Sequence, residues 1–426
     1  MDAMEWDQAL ERLSTQPTGA QIGRRRLLQA ILAGGALSAM PSWVRGTSAA
    51  WAAPASAGSL VVVNLAGGND WMNTVVPADL DRYRALRGNV ALDSSALLPL
   101  GGGLGLHPAM TSTKQLWDGG QVAIVQGVGF ADPTLSHFDA AARWMSGSSN
   151  GLASTGWVGR FLDTVGPGNG FAGIHIGSSI PLLLRGVQPL AVSLPESMDG
   201  ALGAMRTRKT KQGIEPDRDN LRLFGAVTEM AQGRGGTTLA DRWAANASRA
   251  VQTAADIAPL YDGLPKDQRG LAHQLGVAAR VLNAGLGTRV VSVTQGAYDT
   301  HDNQLVTHAA RLTELDGALA AFFAGLDPSV AGHVTVVVVS EFGRRAGSNG
   351  SSGTDHGTAG AALVVGAPVK GGLYGSASSL TQLDRSGNLV ATVDLRSVFA
   401  TVLAGSLGAD DRRLLGASFD HLPLFK

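Results

Sequence analysis

Five short apolar runs rich in valine constrain the fold of this chain more than any other feature. Continuous apolar runs of this length are typical of strands buried on both faces of a parallel sheet. The runs are Leu60–Leu65, Val122–Gln126, Val290–Thr294, Val334–Val339 and Ala362–Val365. They predict a sheet that is covered on both sides.

Amphipathic helical patterns lie between the runs. The clearest is Asn303–Leu326, where apolar residues recur at spacings of three and four. Pro108–Trp117 would open with a proline at a helix start, and Asp394–Leu403 is a further helix. Alternating strands and helices predict an α/β fold, a three-layer sandwich with a mostly parallel sheet. We expect one domain over residues 58–426, with a polar surface excursion around 200–220.

Composition excludes several classes of function. Apolar residues make up 44% of the chain and charged residues 16%, which supports a large core. Lys plus Arg (34) equals Asp plus Glu (34), so no net charge recruits nucleic acid or an anionic membrane. The chain has no cysteine, which excludes disulfides, zinc–thiolate clusters and thiol nucleophiles. A metal ion would need ligands from Asp, Glu, His, Ser or Thr.

The N-terminus has the pattern of a twin-arginine signal peptide over residues 1–57. Arg24, Arg25 and Arg26 precede a mild apolar run, residues 27–40, which is too short to span a bilayer comfortably. Small residues at 55–57 suit cleavage before Gly58, and residues 50–52 offer a second site. The pattern predicts export of the folded protein by the twin-arginine translocase, and a periplasmic or secreted location.

Polar residues directly after the valine-rich runs are candidates for a site, because ligands bind at the carboxyl ends of strands in open α/β sheets. Asp70 follows the first run and two glycines, and is either a site carboxylate or the cap of the next helix. Ser136 and His137 follow the second run. Ser136 would stand at a helix N-terminus, which suits a nucleophile, a bound anion or an ordinary N-cap.

Three further segments carry carboxylates and histidines. Asp299 and His301 point to the same side of an extended chain and suit a divalent metal, or else are a helix cap and a surface histidine. Glu341 is either a metal ligand or the ion-pair partner of Arg344. His356 precedes the fifth run in a Gly/Ser-rich loop that we expect to be mobile. His356 would reach the carboxyl edge of the sheet, where the other candidates lie, if the fifth run is an antiparallel strand or if the loop folds back over that edge.

These segments resemble the DUF1501 family over about residues 60–410. Members of this family are typically exported through the twin-arginine pathway and are similar in fold to alkaline phosphatases and sulfatases. The matching motifs are Gly67–Asp70 with Asn73–Pro77, Ser136–Phe138, Asp299–His301, Ser340–Arg344, Thr354–Gly357, Lys370–Gly375 and Asp394–Val398.

The resemblance implies roles by motif order. Asp70 corresponds to the first metal-binding acid of the wider superfamily and Ser136 to its nucleophile. Asp299 with His301 corresponds to the third element. Glu341 and His356 correspond to the remaining metal ligands. The resemblance therefore implies a cofactor of one or two divalent metal ions.

Two departures from the superfamily pattern leave the number of ions open. Glu341-Phe342 stands where an Asp-His pair is usual, and the spacing between Asp299 and His301 is tighter. Ser136 also lacks the sequence context in which sulfatases form formylglycine.

The function that the sequence predicts is an exported, metal-dependent hydrolase of phosphate or sulfate esters, or of related small or polymeric esters. Arg344 would stabilise the developing charge, and His137 or His301 would relay a proton. The alternative is a catalytically silent, exported binding or scaffold protein that keeps the same fold.

Overall fold

The computed structural model describes residues 58–166, 169–196, 207–210, 213–216, 258–261, 264 and 269–426. The signal peptide predicted over 1–57 lies outside the described residues. The described residues fall into two units, of which the larger contains 58–196 and 269–426 apart from the gap at 167–168. The single domain and its excursion remain predictions, because most of residues 197–268 also lies outside the description.

Nine strands form the main sheet of the larger unit. The strands of that unit are β1 (Ser59–Leu65), β2 (Val75–Val76), β3 (Leu98–Gly101), β4 (Leu104–Leu106), β5 (Val122–Gly129), β6 (Gly173–Ile176), β7 (Ala191–Leu194), β10 (Val290–Gln295), β11 (Val334–Val339), β12 (Gly360–Val365), β13 (Gly372–Tyr374) and β14 (Val393–Asp394). The main sheet has the order β13-β5-β12-β11-β1-β10-β6-β7, with β14 paired to β5. The strands β2, β4 and β3 form a small separate sheet.

The helices of the larger unit alternate with these strands. They are α1 (Trp71–Thr74), α2 (Leu80–Arg87), α3 (Thr111–Asp118), α4 (His137–Ser146), α5 (Trp157–Val165), α6 (Leu271–Asn283), α7 (Gln304–Ala324), α8 (Pro328–Ala331), α9 (Leu395–Gly405) and α10 (Asp411–Leu415). Short 3-10 turns occur at Gly88–Val90, Ser94–Ala96 and Leu182–Leu184. Aspartates cap several of the helices: Asp79 accepts a backbone hydrogen bond at the start of α2 and Asp394 at the start of α9.

In the other unit, β8 (Thr207–Thr210) and β9 (Gly213–Pro216) pair as an antiparallel hairpin. A 3-10 turn covers Ala258–Tyr261.

Helices cover both faces of the main sheet, which confirms the predicted three-layer sandwich. Leu60 and Val62 of β1 belong to a buried cluster with residues of α4, α5 and α9, including Trp144. Val61 and Val63 are equally buried but point to the opposite face, because side chains alternate along a strand. On that face α6 contacts β10 and β6, and α7 packs against α6 and α3.

The predicted elements are largely confirmed, with one correction. All five valine-rich runs are strands of the main sheet, and α7 and α9 lie where their periodicity places them. The helix predicted from Pro108 instead begins at Thr111, because a turn in which Met110 N–H donates to the His107 carbonyl precedes it. Of the described helices, none is long and apolar enough to cross a membrane.

The direction of β12 decides where the polar loops meet. β1 is parallel to both β10 and β11, whereas β12 is antiparallel to β11 and to β5. Of the two sequence alternatives for the His356 loop, the antiparallel strand is therefore the one observed. The segment before β12 consequently lies at the same edge as the segments after β1, β5, β10 and β11.

Substitution of Phe399 in α9 tests how the helices pack on the main sheet. Its ring is fully buried and stacks on Trp157 with centroids 4.7 Å apart. We expect Phe399→Ala to lower the free energy of unfolding by about 3–5 kcal/mol, through lost burial and the cavity left behind. Urea denaturation followed by circular dichroism measures this change.

Phe138→Ala is the matched control, because the Phe138 ring is 91% exposed. Its effect should stay within about 0.5 kcal/mol. Equal losses for the two variants would contradict the packing described for α9.

Candidate metal centre

Three histidines converge on the carboxylate of Asp299 at the carboxyl edge of the sheet. His301 Nε2 and His356 Nε2 lie 3.0 and 3.1 Å from Asp299 Oδ1, and His137 Nε2 lies 3.5 Å from Asp299 Oδ2. The Nε2 atoms of His301 and His356 are 3.0 Å apart. His137 begins α4, Asp299 and His301 follow β10, and His356 precedes β12. Three separate loops therefore supply one cluster.

The second ring nitrogen of each histidine is held by an oxygen. The pairs are His137 Nδ1 with Glu341 Oε1 at 2.9 Å, His301 Nδ1 with Asp355 Oδ1 at 3.1 Å, and His356 Nδ1 with the Leu135 carbonyl at 2.8 Å. A carbonyl or a carboxylate oxygen accepts a hydrogen bond, so a neutral ring in each pair would carry its proton on Nδ1. In that tautomer the Nε2 lone pairs would be available to a metal ion, as in histidines that bind metals.

This arrangement fits a metal ion bound by nitrogen and oxygen. A tetrahedral ion with bonds of about 2.0–2.1 Å separates its ligand atoms by about 3.3 Å. Four of the separations within the cluster run from 3.0 to 3.5 Å, and ligand atoms of His137, Asp299 and His356 all lie within 4.8 Å of one another. His137 Nε2 is also a buried atom without a hydrogen-bond partner. A cation between the rings would satisfy this atom and separate the facing lone pairs of His301 and His356.

Arg344 fixes the carboxylate of the cluster. Its Nη2 donates to Asp299 Oδ1 at 2.6 Å, and the guanidinium also donates to the carbonyls of Gly67, Gly68 and Thr354. Burial by itself would raise the pKa of Asp299, but Arg344, His356 and His301 together lower it to about 2. Asp299 is therefore an anion at neutral pH. The Arg344 side chain is fully buried and holds Asp299 in position, and the oxyanion clamp predicted from the sequence stays a prediction.

Two glycines after β1 allow the loops to approach each other. Gly67 and Gly68 have φ angles of 118° and 75°, a region that favours glycine. A Cβ at Gly67 would collide with the backbone nitrogen of Asp299, and one at Gly68 with the ring of Phe342. The two glycines therefore let the chain turn sharply after β1.

The loops that carry the histidines have strained backbone. Among the described residues, the non-glycine residues with positive φ are Ala297, Asn303 and Ser352. Ala297 and Asn303 flank the segment with Asp299 and His301, and Ser352 lies in the loop before His356. Such conformations persist where the surrounding structure enforces them, often at functional sites. The Gly/Ser-rich loop that the sequence predicts to be mobile is thus held by its neighbours.

Asp70, predicted as a metal ligand, lies outside this cluster. Its oxygens accept from Arg87 Nη1 and Nη2 at 2.6 and 2.8 Å, from Gln304 Nε2 at 2.6 Å, and from the backbone of Asn73. Burial alone would raise the pKa of Asp70, but the adjacent Arg87 guanidinium holds it below its usual range. The sequence alternative, an aspartate that caps the next helix, is the role observed at the start of α1.

Glu341 contacts the cluster, and Ser136 directly precedes His137, which belongs to it. Glu341 is not paired with Arg344; it accepts from His137 Nδ1 and from the backbone N–H of Gly67 at 2.7 Å. Glu341 therefore holds the His137 ring, and its predicted role as a metal ligand stays a prediction. Ser136 occupies the N-cap position of α4 without a side-chain cap hydrogen bond, and it is exposed.

His137 and Asp355 acquire roles that the sequence did not reveal. The sequence predicts a proton relay at His137; in the structure Glu341 holds its Nδ1 and its Nε2 faces Asp299. Asp355, directly before His356 in the sequence, contacts His301 Nδ1. Because His137 directly follows an N-cap serine on a helix, its sequence context resembles an ordinary helix start. Only the fold brings it to the other histidines.

Comparisons with known proteins give low similarity to solved structures. A protein in the alkaline phosphatase superfamily from Vibrio parahaemolyticus is 11% identical with a TM-score of 0.39, over 91% of this chain and 76% of its own. The PsFucS1 sulfatase from Pseudoalteromonas sp. is 11% identical with a TM-score of 0.39, over 94% and 75%. Identities and TM-scores this low do not assign an activity to this chain. No curated protein matches the chain.

A family model does match nearly all of the described chain. It covers residues 57–421, and its description is "Protein of unknown function (DUF1501)". The match includes every residue of the cluster around Asp299. This chain therefore belongs to the DUF1501 family.

Proposed function

We propose that this protein is a hydrolase of phosphate or sulfate esters that depends on one divalent metal ion held by His137, Asp299, His301 and His356. The observation that carries the proposal is the convergence of three histidine Nε2 atoms on the carboxylate of Asp299. The order of the sequence motifs, which resembles that of the alkaline phosphatase superfamily, supports phosphate or sulfate esters as the substrate class.

The donor set favours a transition metal of the zinc type. Imidazole nitrogen suits Zn²⁺ and its neighbours, whereas Mg²⁺ and Ca²⁺ prefer shells built from oxygen. When bound, such an ion would polarise an ester oxygen and lower the pKa of a hydroxyl or water beside it. The Asp299 side chain is 47% exposed, so a substrate could reach the ion from solvent.

Ser136 is the proposed nucleophile. It lies between Leu135, whose carbonyl accepts from His356, and the ligand His137. Attack of its hydroxyl on phosphorus or sulfur would release the alcohol and form a seryl ester. Water would then cleave that ester, releasing phosphate or sulfate and restoring the hydroxyl. Glu341, Asp355 and Arg344 would hold the ligands throughout.

We further propose that the protein acts in the periplasm or outside the cell. The twin-arginine pattern at residues 24–26 supports this location, because that pathway exports proteins already folded. Folding in the cytoplasm would allow the metal to be loaded before export. The translocase would then be the partner during export.

The metal site predicts a defined loss on substitution. Wild-type protein stripped with a chelator and reloaded should retain one equivalent of Zn²⁺ after gel filtration. His301→Ala should retain well under one equivalent, because the variant lacks one imidazole ligand. Elemental analysis by mass spectrometry measures the stoichiometry.

His333→Ala is the control, because this exposed histidine lies just before β11, away from the cluster. It should retain zinc like the wild type. Failure of the wild type itself to retain zinc would sink the proposed metal dependence.

Hydrolysis of generic aryl phosphate and aryl sulfate esters tests the activity. Zinc-loaded wild type should turn over at least one class, and Ser136→Ala should reduce kcat by about 10³-fold or more while metal content stays the same. Ser149→Ala, an exposed serine after α4, should behave as wild type.

The possible outcomes separate the hypotheses. Turnover that survives Ser136→Ala would assign the nucleophile to a water molecule. Zinc binding without turnover of any ester would instead favour the silent binding or scaffold protein.

A further inference from the structure

Gln304 connects the two loops that carry the proposed metal ligands. Its Oε1 accepts from the Thr300 hydroxyl at 3.1 Å and from the Thr354 hydroxyl at 2.5 Å. Thr300 lies between Asp299 and His301, and Thr354 lies two residues before His356. One buried carboxamide therefore contacts both loops directly beside their ligands.

The other end of the carboxamide is anchored to a rigid charge. Gln304 Nε2 donates to Asp70 Oδ2 at 2.6 Å, and the same carboxylate is held by both terminal nitrogens of Arg87. Asp70 and Arg87 have side chains with no exposure. Because an ionised carboxylate can only accept, it fixes the amide with Nε2 toward Asp70 and Oε1 toward the two threonines.

The loops need such a connection because their backbone is strained. Asn303, directly before Gln304, has a φ of 41°, and Ser352, two residues before Thr354, has a φ of 59°. The Gln304 N–H donates to the Ser352 carbonyl at 3.0 Å, and the Thr354 N–H donates to the Thr300 carbonyl at 3.1 Å. The side-chain and backbone contacts of Gln304 thus hold the same two loops together.

We propose that Gln304, anchored on Asp70, is a positioning residue that sets the distance between the His301 and His356 ligand loops and thereby the affinity for the metal. The inference rests on the proposed metal site and deepens it. Asp70 would also support the ligand loops, because it holds Gln304, which in turn accepts hydrogen bonds from Thr300 and Thr354 in those loops.

Substitution of Gln304 tests this role by metal affinity. Gln304→Leu keeps the approximate volume and removes all three side-chain hydrogen bonds. We expect its dissociation constant for Zn²⁺ to rise about 10- to 100-fold, as for other residues that support metal ligands indirectly. Competition with a chromophoric chelator measures the constant on the full chain, at a temperature where circular dichroism shows each variant folded.

Gln274→Leu is the matched control. Gln274 is a similarly buried glutamine on α6 that makes hydrogen bonds to the backbone N–H and carbonyl of Thr294 and to Glu196. None of these partners belongs to a ligand loop. Gln274→Leu should lower stability yet leave zinc affinity unchanged, which separates a loss of positioning from a general loss of stability.

Thr354→Val provides a second route if Gln304→Leu fails to fold. It removes only the hydroxyl at one end of the connection and should weaken zinc binding in the same direction. The double variant Gln304→Leu/Thr354→Val should bind zinc no more weakly than Gln304→Leu alone, because both changes remove the same hydrogen-bonded connection. The visible spectrum of bound Co²⁺ should shift in the Gln304 and Thr354 variants and stay the same in Gln274→Leu.

The outcomes distinguish this inference from the proposed function. If the wild type binds zinc and both Gln304→Leu and Thr354→Val bind it as tightly, the positioning role is wrong and the metal site stands. Equal weakening by Gln274→Leu would also overturn it, since the effect would then be one of stability. If the wild type binds neither Zn²⁺ nor Co²⁺, the proposed function and the inference fail together.

Discussion

The close approach of ring nitrogens around Asp299 is the interaction on which the site depends. His301 and His356 turn their Nε2 atoms toward each other at 3.0 Å while oxygens hold both Nδ1 atoms. Two lone pairs at this distance repel unless a cation or a proton lies between them. A buried arginine, two carboxylates and backbone with positive φ hold the loops in this approach.

The architecture explains why such distant residues can meet. The strands β5, β10 and β11 are parallel, so the loops that follow them lie at one edge of the sheet. Because β12 is antiparallel, the loop before it lies at the same edge. Beneath this edge, Arg344 and Gln304 tie the loops to one another and to the turn after β1. The histidines and Asp299 would therefore bind the ion, and the buried side chains of Arg344 and Gln304 would set the geometry of their loops.

The sequence was sufficient for the layers and for the general position of the site. Valine-rich runs identified the central strands, and the polar residues after them marked the correct edge. Individual roles were not predictable, because they depend on partners without any periodic relation in sequence. Asp70 is paired with Arg87, seventeen residues away on a separate helix, and lies outside the cluster around Asp299. Arg344 pairs with Asp299 and not with Glu341, three residues before it in the sequence. This choice of partner depends on how the loops converge, which the sequence does not reveal.

Zinc-edge X-ray absorption of the full chain loaded with one equivalent of Zn²⁺ would test the central claim most directly. The account predicts four light ligand atoms at about 2.0–2.1 Å, with the outer scattering that imidazole rings produce. A shell of six oxygens without imidazole scattering would contradict it, because the ion would then be bound somewhere other than between these three histidines.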